Sequence, residues 1–587
     1  MTALINSIGF QTHDAWQWLV VVAAVALLGP RLLRAYRAGD GRLGLIQRLI
    51  DGVERVTGME AWAAVGTELG LWALSVAFVG FMWDVAWHAD RGRDRELMTV
   101  PHTLILMGLG GIFAAGVLSI ALARRAGRKL PYSSVPLTLL GFGALCGFPL
   151  DDYWHLVYGI DVTMWSPTHL MMIGGASLTP IALWLMAVEG GGKARVQRPL
   201  AAATLIGLST FQLEYDMGIP QWQLLFQPAL IAAAGIALVA ARAAFGRGGA
   251  AFAAVGFVVT RGVLALIIAP GLGETLPRFP LYFVEAACVE LAFWLLAGRG
   301  PLVIGAVSGA LIGTIGLAAE WGWTHLWYPH PWPANLLNDI WIAVVIAVAA
   351  GIVGIAAGRI LGGVKAGVPA IAVVACLAVI GGLLAWHLPL RQAAPASATL
   401  HTKTVGGAAF VTDRQGEVSM LRNVSVDLTV SPAGAAAHPD WLTIVAWQGL
   451  APVRVIDLRE TAPGSYHADQ LVPVGGNWKS LVFLARGDVV SAVPVAMPAD
   501  PAYGLGGVDA PAQRTEQFVP ASHWLMRESH SGVIWPAVLA IVAFAFFVVA
   551  WTVALGLAYR GVSANGQVVA RKREQQAAST KLKSKPA

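Results

Sequence analysis

Charge is what this chain has least of. Only 13% of its 587 residues are Asp, Glu, Lys or Arg, against 56% hydrophobic, and the mean hydropathy is +0.64. Soluble domains carry about 25% charged residues, so a chain at half that density is not an ordinary soluble enzyme. Cysteine is nearly absent. Cys146, Cys288 and Cys376 all fall in apolar stretches, which excludes a disulfide framework and any CxxC metal or redox motif. No Walker A loop, G-x-S-x-G elbow or CxxCH haem-attachment motif occurs. The 66 glycines show no period of three, so a collagen-like repeat is excluded as well. What remains is a polytopic membrane protein.

Apolar runs set the architecture. A hydrocarbon core about 30 Å thick takes roughly 20 apolar residues per helix. That ruler gives about thirteen spans, beginning near Trp16, Ala64, His102, Val135, Pro167, Pro199, Leu225, Ala250, Pro280, Pro301, Ile340, Val368 and Val533. Arg and Lys then gather in alternate connections: Arg31 to Arg55, Arg124 to Lys129, Lys193 to Arg198, Arg242 with Arg247, Arg359 with Lys365, and the tail after Arg560. The positive-inside rule places these in the cytoplasm and the N-terminus outside. The formal charge of +6 is thereby explained by topology, and no nucleic-acid partner is expected. The expected setting is the lipid bilayer of the plasma membrane, with other membrane subunits or a homo-oligomer left open.

Past residue 390 the composition shifts toward Pro, Asp, Ser and Thr, with alternating runs at Val424–Val430, Trp441–Trp447, Val453–Leu458, Lys479–Ala485 and Val489–Val495. Period-two alternation reads as strands. The expected fold is an all-α polytopic bundle carrying an extracytoplasmic β-sandwich-like domain. Its parts are a helical domain at 1–390, a β-rich domain at 391–532, a last helix at 533–558 and a basic tail at 559–587.

The informative feature is a duplication. Asp84 to Gly108 and Asp151 to Gly175, 67 positions apart, both read D-x2-W-H-x3-G-x-D-x7-H-x5-G. Asp84 and His88 are spaced i,i+4 and share a helix face; His102 follows Pro101, which suits a helix start. One helical hairpin can therefore bring a carboxylate and two imidazoles to a point. The second copy offers Asp151, His155 and His169, with Ser166 and Pro167 marking the helix start. Two histidines and a carboxylate suit copper, zinc or non-haem iron. Asp94 and Asp161 read as supporting groups or loop caps rather than ligands.

Other ionisable residues lie within spans, where they are costly and usually functional. Arg261 and Glu290 read as an ion pair between antiparallel spans, with Glu285 further outward on the same helix. Glu320 and His325, spaced i,i+5, do not share one helix face. Trp321, Trp323, Trp327 and Trp332 fit an interfacial aromatic belt.

Over about residues 83–175, Trp87-His88, Arg93-Asp94 and Pro101-His102 of the first copy, with Ser166-Pro167-Thr168-His169 of the second, resemble the helical copper-binding subunit of the copper-dependent particulate methane and ammonia monooxygenases. The resemblance implies copper ligands at Asp84, His88 and His102, and a second site at Asp151, His155 and His169. It departs in two places: thirteen residues separate His88 from His102 where about twelve are expected, and Asp151 stands where that family tends to carry an amide. Pro463–Leu484 is similar to a hairpin of FixH and YtkA-like periplasmic β-sandwich domains, some of which accompany copper handling. Three functions are therefore expected to compete: a copper oxidoreductase resembling a monooxygenase and acting on a small apolar substrate, a metal transport or delivery protein, and a structural subunit of a larger membrane complex.

Overall fold

The computed structural model describes residues 44–92, 98–159, 164–221, 223–386, 395–412, 418–487 and 489–583. The expected first span near Trp16, together with Asp94 and Asp161, lies outside them. After α1 (Gly44–Thr57) come two helical hairpins, α2 (Ala61–Arg91) with α3 (Val100–Arg125) and α4 (Ser134–Tyr158) with α5 (Pro167–Glu189). The four close into a ring, α2 touching α3 and α5, and α4 touching the same two. Lipid supplies no hydrophobic drive between helices, so close backbone approach holds such a ring together. Gly108, which ends the first motif, lies on α3 where a Cβ would stand 2.5 Å from Ala77 of α2; Gly175, its counterpart on α5, would meet the Leu140 carbonyl of α4 at 2.8 Å. The same motif glycine thus brings each hairpin together.

A second group of helices follows: α6 (Ala194–Leu208), α7 (Phe226–Phe245), α8 (Gly249–Leu266, extended by a π turn to Gly271), α9 (Phe283–Leu295), α10 (Pro301–Trp327), α11 (Trp341–Leu361) and α12 (Ala370–Trp386). Past the strands, α13 (Ile534–Lys583) is apolar as far as Ala564 and lies against α4 and α5. Among the described residues, nine helices are long and apolar enough to cross a membrane. Helices also stand near the expected starts at Pro199, Pro280 and Val368, but these are α6, α9 and α12, of 15, 13 and 17 residues. Polar and proline residues account for two of the three. Beyond α6 the chain tightens into a 3-10 turn at Thr210–Gln212 and ends at buried Glu214 and Asp216. Before α9, residues 273–282 form neither helix nor strand, passing through Pro277 and Pro280. Non-helical backbone at membrane depth is tolerated where protein encloses it.

The ten strands are β1 (Ser397–Thr412), β2 (Val418–Ser431), β3 (Trp441–Trp447), β4 (Arg454–Ala462), β5 (Ser465–Ala468), β6 (Val472–Val474), β7 (Lys479–Arg486), β8 (Val489–Ala496), β9 (Gln513–Gln517) and β10 (Val519–Pro520). They form one antiparallel sheet in the order β10-β8-β7-β3-β4-β5-β2-β1-β9, with β6 on β2. The two ends of that path, β9 and β10, are separated by a single residue, so the sheet curls into a nearly closed barrel-like domain rather than the two separate layers of a sandwich. Inside it Leu400, Val426 and Leu428 meet Ile444, Val482 and Val493.

One wall of the barrel is buried on both faces. Leu442 and Ile444 of β3 point into the barrel, whereas Trp441, Val445 and Trp447 join the apolar core of the helices. The domain is seated on the helices by backbone hydrogen bonds from Gln448 to Ala89 and from Leu450 to Asp90, at 3.0 and 2.9 Å. His330, after α10, is buried at this seam, with Nε2 3.1 Å from Thr443 Oγ1 and its ring against Trp441.

Burial, reinforced by the positive charge of Arg278, pushes His330 down from 6.5 to about 3. The unfolded chain therefore takes up a proton that the folded seam refuses, and stability present above about 6.5 is lost as the pH falls toward 3. Thermal melts of wild type and His330→Gln across that range check this. The variant should show a shallower acid loss, and an unchanged slope would contradict the assignment.

Candidate metal centre

Each hairpin turns at the same place by the same devices. α2 ends at Gly92 (φ 77°, ψ −164°), whose N–H is donated to the His88 carbonyl; α4 ends at Gly159 (φ 76°, ψ −170°), whose N–H is donated to the His155 carbonyl. That backbone region is essentially restricted to glycine. The next helices open with equivalent caps. Thr99 Oγ1 accepts the His102 N–H and Ser166 Oγ accepts the His169 N–H, with Pro101 and Pro167 in the first turn. The second histidine of each copy is thus fixed in the first turn of a helix, beside the last turn of the helix before it.

Both ligand sets converge. In the first, Asp84 Oδ1 lies 3.2 Å from His102 Nε2, and Asp84 Oδ2 lies 3.8 Å from His88 Nδ1. In the second, Asp151 Oδ2 stands 3.0 Å from His169 Nε2 and 3.3 Å from His155 Nε2. In each set one ligand atom per residue falls within 4.8 Å of the other two. Donors bound at about 2.0–2.1 Å in a tetrahedral shell are separated by about 3.3 Å, so the spacing fits one ion per set.

Electrostatics favour a cation at both points. Asp84 Oδ1 is buried, with His102 Nε2 beside it at 3.2 Å. His155 Nδ1 is 3.1 Å from the Gly159 carbonyl, which can only accept, so Nδ1 carries the proton. A neutral ring then turns a bare Nε2 toward the Asp151 carboxylate, and two facing lone pairs call for a cation between them or a second proton on the ring. Fixing the tautomer through the far ring nitrogen is a common device of metal-binding histidines. The residues present therefore fit a nitrogen- and oxygen-liganded transition metal.

The two sets are not equal. Thr168 Oγ1 donates to Asp151 Oδ1 at 2.6 Å and pins that carboxylate. The corresponding position in the first copy is Pro101, which has no hydroxyl. His155 is 26% exposed, His88 40%. The sets are also neighbours: His102 meets Phe148 of α4 edge-on at 5.8 Å, and His169 lies near enough to act on the charge of Asp84.

The β-domain reaches both helix ends. Gln448 lies over Gly92, and Ser529 bridges to Gly159, with the His530 N–H donated to the Tyr158 carbonyl at 2.8 Å. The latter segment is held by a buried ion pair, Lys479 Nζ to Glu528 Oε1 at 2.6 Å. Nothing in the sequence pattern marks Gln448 or Glu528 as neighbours of the motif. Thr99 and Ser166, by contrast, are legible as paired caps once the copies are aligned.

The expected Arg261–Glu290 pair does not form. Arg261 Nη2 bonds Asp216 Oδ2 at 2.5 Å and the Arg278 carbonyl at 2.9 Å, whereas Glu290 pairs with Arg242 at 2.6 Å. The reason is depth. Glu290 also accepts the N–H of Ala250 at the start of α8. Arg261 lies eleven residues further along, about 16 Å away at 1.5 Å per residue. Trp332 also departs from expectation, being buried and hydrogen-bonded to Gln227 rather than part of an interfacial belt.

No protein-family model, no curated protein and no solved structure matches this chain. Fold and ligand sets together define a polytopic helical protein with two clustered Asp–His–His groups under a β-barrel-like domain.

Replacing either cap glycine tests the hairpin geometry. Gly92→Ala should cost about 1–3 kcal/mol from backbone strain alone. Gly159→Ala should cost more, because its new methyl group would strike the Glu528 carbonyl rather than the flexible Gln448 side chain. Thermal melts of the two variants check the order; equal costs would contradict it.

Proposed function

We propose that this chain is an integral membrane metalloprotein that holds copper at its two Asp–His–His groups and carries out oxidative chemistry on a small apolar molecule. The observation that carries the reading is the repeated convergence of a largely buried carboxylate and two imidazoles at the spacing a metal shell requires. Nitrogen and oxygen donors without thiolate suit copper(II), and zinc and non-haem iron share part of that preference. The resemblance to the helical copper-binding subunit of the monooxygenases points to copper among these. Bound copper would supply one-electron redox chemistry with dioxygen.

The chain's own residues supply the rest. Neutral His88, His102, His155 and His169 offer ring lone pairs, and Asp84 and Asp151 offer negative charge that a cation neutralises. Thr168 and the Gly159 carbonyl keep Asp151 and His155 oriented without a ligand present.

A cavity of about 590 Å³ opens one helical turn beneath both groups, where Phe81, Ile105 and Met172 lie three residues from Asp84, His102 and His169. It runs between α2, α3, α5, α6 and α8, and its lining is apolar apart from Ser75, Ser177, Thr210 and Thr260. Such a space suits an apolar guest entering from lipid. It presents no carboxylate or imidazole that would continue a metal path across the bundle, which weighs against metal transport. With the basic connections inside, both groups and the β-domain face outward.

Metal content of the membrane-purified chain tests the reading. Copper near two equivalents per chain is expected, with about one lost in His88→Ala and about one in His155→Ala. Thr168→Val should weaken only the second group, by about 10–100-fold in metal affinity. A chain that keeps no metal after reconstitution, or variants that keep as much as wild type, would contradict it.

A further inference from the structure

Away from the duplicated hairpins, two carboxyl groups are enclosed among helices with no ion-pair partner among the described residues. Glu285, in the first turn of α9, is fully buried, and neither of its carboxyl oxygens has a hydrogen-bond partner. Its side chain rests on Gly316 of α10, where an added Cβ would stand 2.7 Å from Glu285 Cγ. Glu320 lies four residues beyond Gly316, on the same face of α10 and one turn along. It is 3% exposed; Oε1 accepts the backbone N–H groups of Leu281 and Tyr282 at 2.9 and 2.7 Å, and Oε2 is buried without a partner. Three buried carboxyl oxygens of two neighbouring side chains therefore have no hydrogen-bond partner among the described residues.

The cation on the segment before α9, Arg278, is turned away, donating its Nε–H to the Trp327 carbonyl at 2.8 Å. Among the described residues neither carboxylate forms an ion pair. The titratable groups facing them are Cys288 on α9, Tyr282 in the segment before α9, and Tyr328 after α10. Tyr282 directs its hydroxyl to Ser209 and Gln212, and Tyr328 directs its own to Asp216. Arg261, the nearby buried cation on α8, is engaged with Asp216, and Arg242 on α7 with Glu290. Two uncompensated negative charges, one against Gly316 and the other a turn beyond it, are strongly disfavoured in a low-dielectric interior. The backbone of α10 is wound as a π turn at Ile312–Gly316, directly against Glu285, and π turns in helices are frequent at functional sites.

We propose that Glu285 and Glu320 form a proton-binding pair within the helical bundle, one proton being shared between the two carboxyl groups. A sodium ion is the poorer occupant. Hard cations take several oxygen ligands, whereas one of the four oxygens here is already committed to two N–H donors. The pair lies outside the metal groups, so it stands or falls separately from them.

A hydrophobic carbodiimide, which reacts with protonated carboxyl groups in apolar surroundings, reads the proton directly on the full-length protein in membranes. Peptide mapping by mass spectrometry should find the adduct at Glu285 or Glu320, with uptake falling as the pH is raised. The Glu285→Gln/Glu320→Gln double variant should lose it. In Glu285→Gln and in Glu320→Gln the remaining carboxyl group has no charged neighbour to compete with. Each single variant should therefore lose its uptake at a pH lower than wild type by about one unit or more. Gln replaces a protonated carboxyl group at equal size, and melting near wild type confirms that these variants fold. Uptake at neither residue, uptake independent of pH, or single variants titrating like wild type would overturn the proposal. Suppression by sodium at fixed pH would make sodium the occupant and overturn it equally.

Discussion

The apposition of one helix end with the next helix start governs this structure. A metal-like ligand set needs a carboxylate and two imidazoles within a few ångströms, yet neighbouring side chains on one helix supply only two of the three. The third comes from the following helix, and it arrives in place because glycine ends one helix immediately after its histidine and a Thr or Ser cap starts the other three residues before its own. Gly108 and Gly175 let the paired helices approach closely enough for the distance to close. Removing the cap or the close approach would separate the ligands, whatever their identity.

Repetition of this unit has a physical consequence. The two hairpins share a closed four-helix ring, so both ligand sets emerge at the same end and beside each other, with a common apolar cavity below. The β-domain is seated on that end through a strand wall buried on both faces, and it touches the terminal glycine of each hairpin. A displacement of the domain would therefore be felt at both sets together. The asymmetry between them, a hydroxyl pinning Asp151 where Asp84 has none, leaves the first set more open.

Much of this was legible in the sequence because repeats and periodicities are local. The motif spacing of Asp84–His88–His102 and Asp151–His155–His169 anticipated that each carboxylate and its two imidazoles would converge, and the alternating runs anticipated β2, β3, β4, β7 and β8. What the pattern hid depends on long-range placement. Pairing Arg261 with Glu290 assumes equal depth in the two helices, but α9 starts at Phe283 and Glu290 lies beside the start of α8, eleven residues from Arg261. Strand β3 reads as a half-buried strand, yet both faces are covered because the helices supply a second core. The seat of Gln448 and Glu528 on the hairpin ends, and the enclosure of Glu285 beside Glu320, have no signature in residue spacing.

The central claim is that the Asp–His–His groups are metal shells and not hydrogen-bonded helix ends. X-ray absorption by the copper-loaded, membrane-purified chain tests it most directly. The account predicts a nitrogen- and oxygen-only shell near about 2.0 Å, with the outer scattering of about two imidazoles per ion and no sulfur. That imidazole signal should be halved when His102 and His169 are replaced together by Ala. A shell containing sulfur, or a spectrum unchanged in the double variant, would place any bound copper elsewhere and contradict the account.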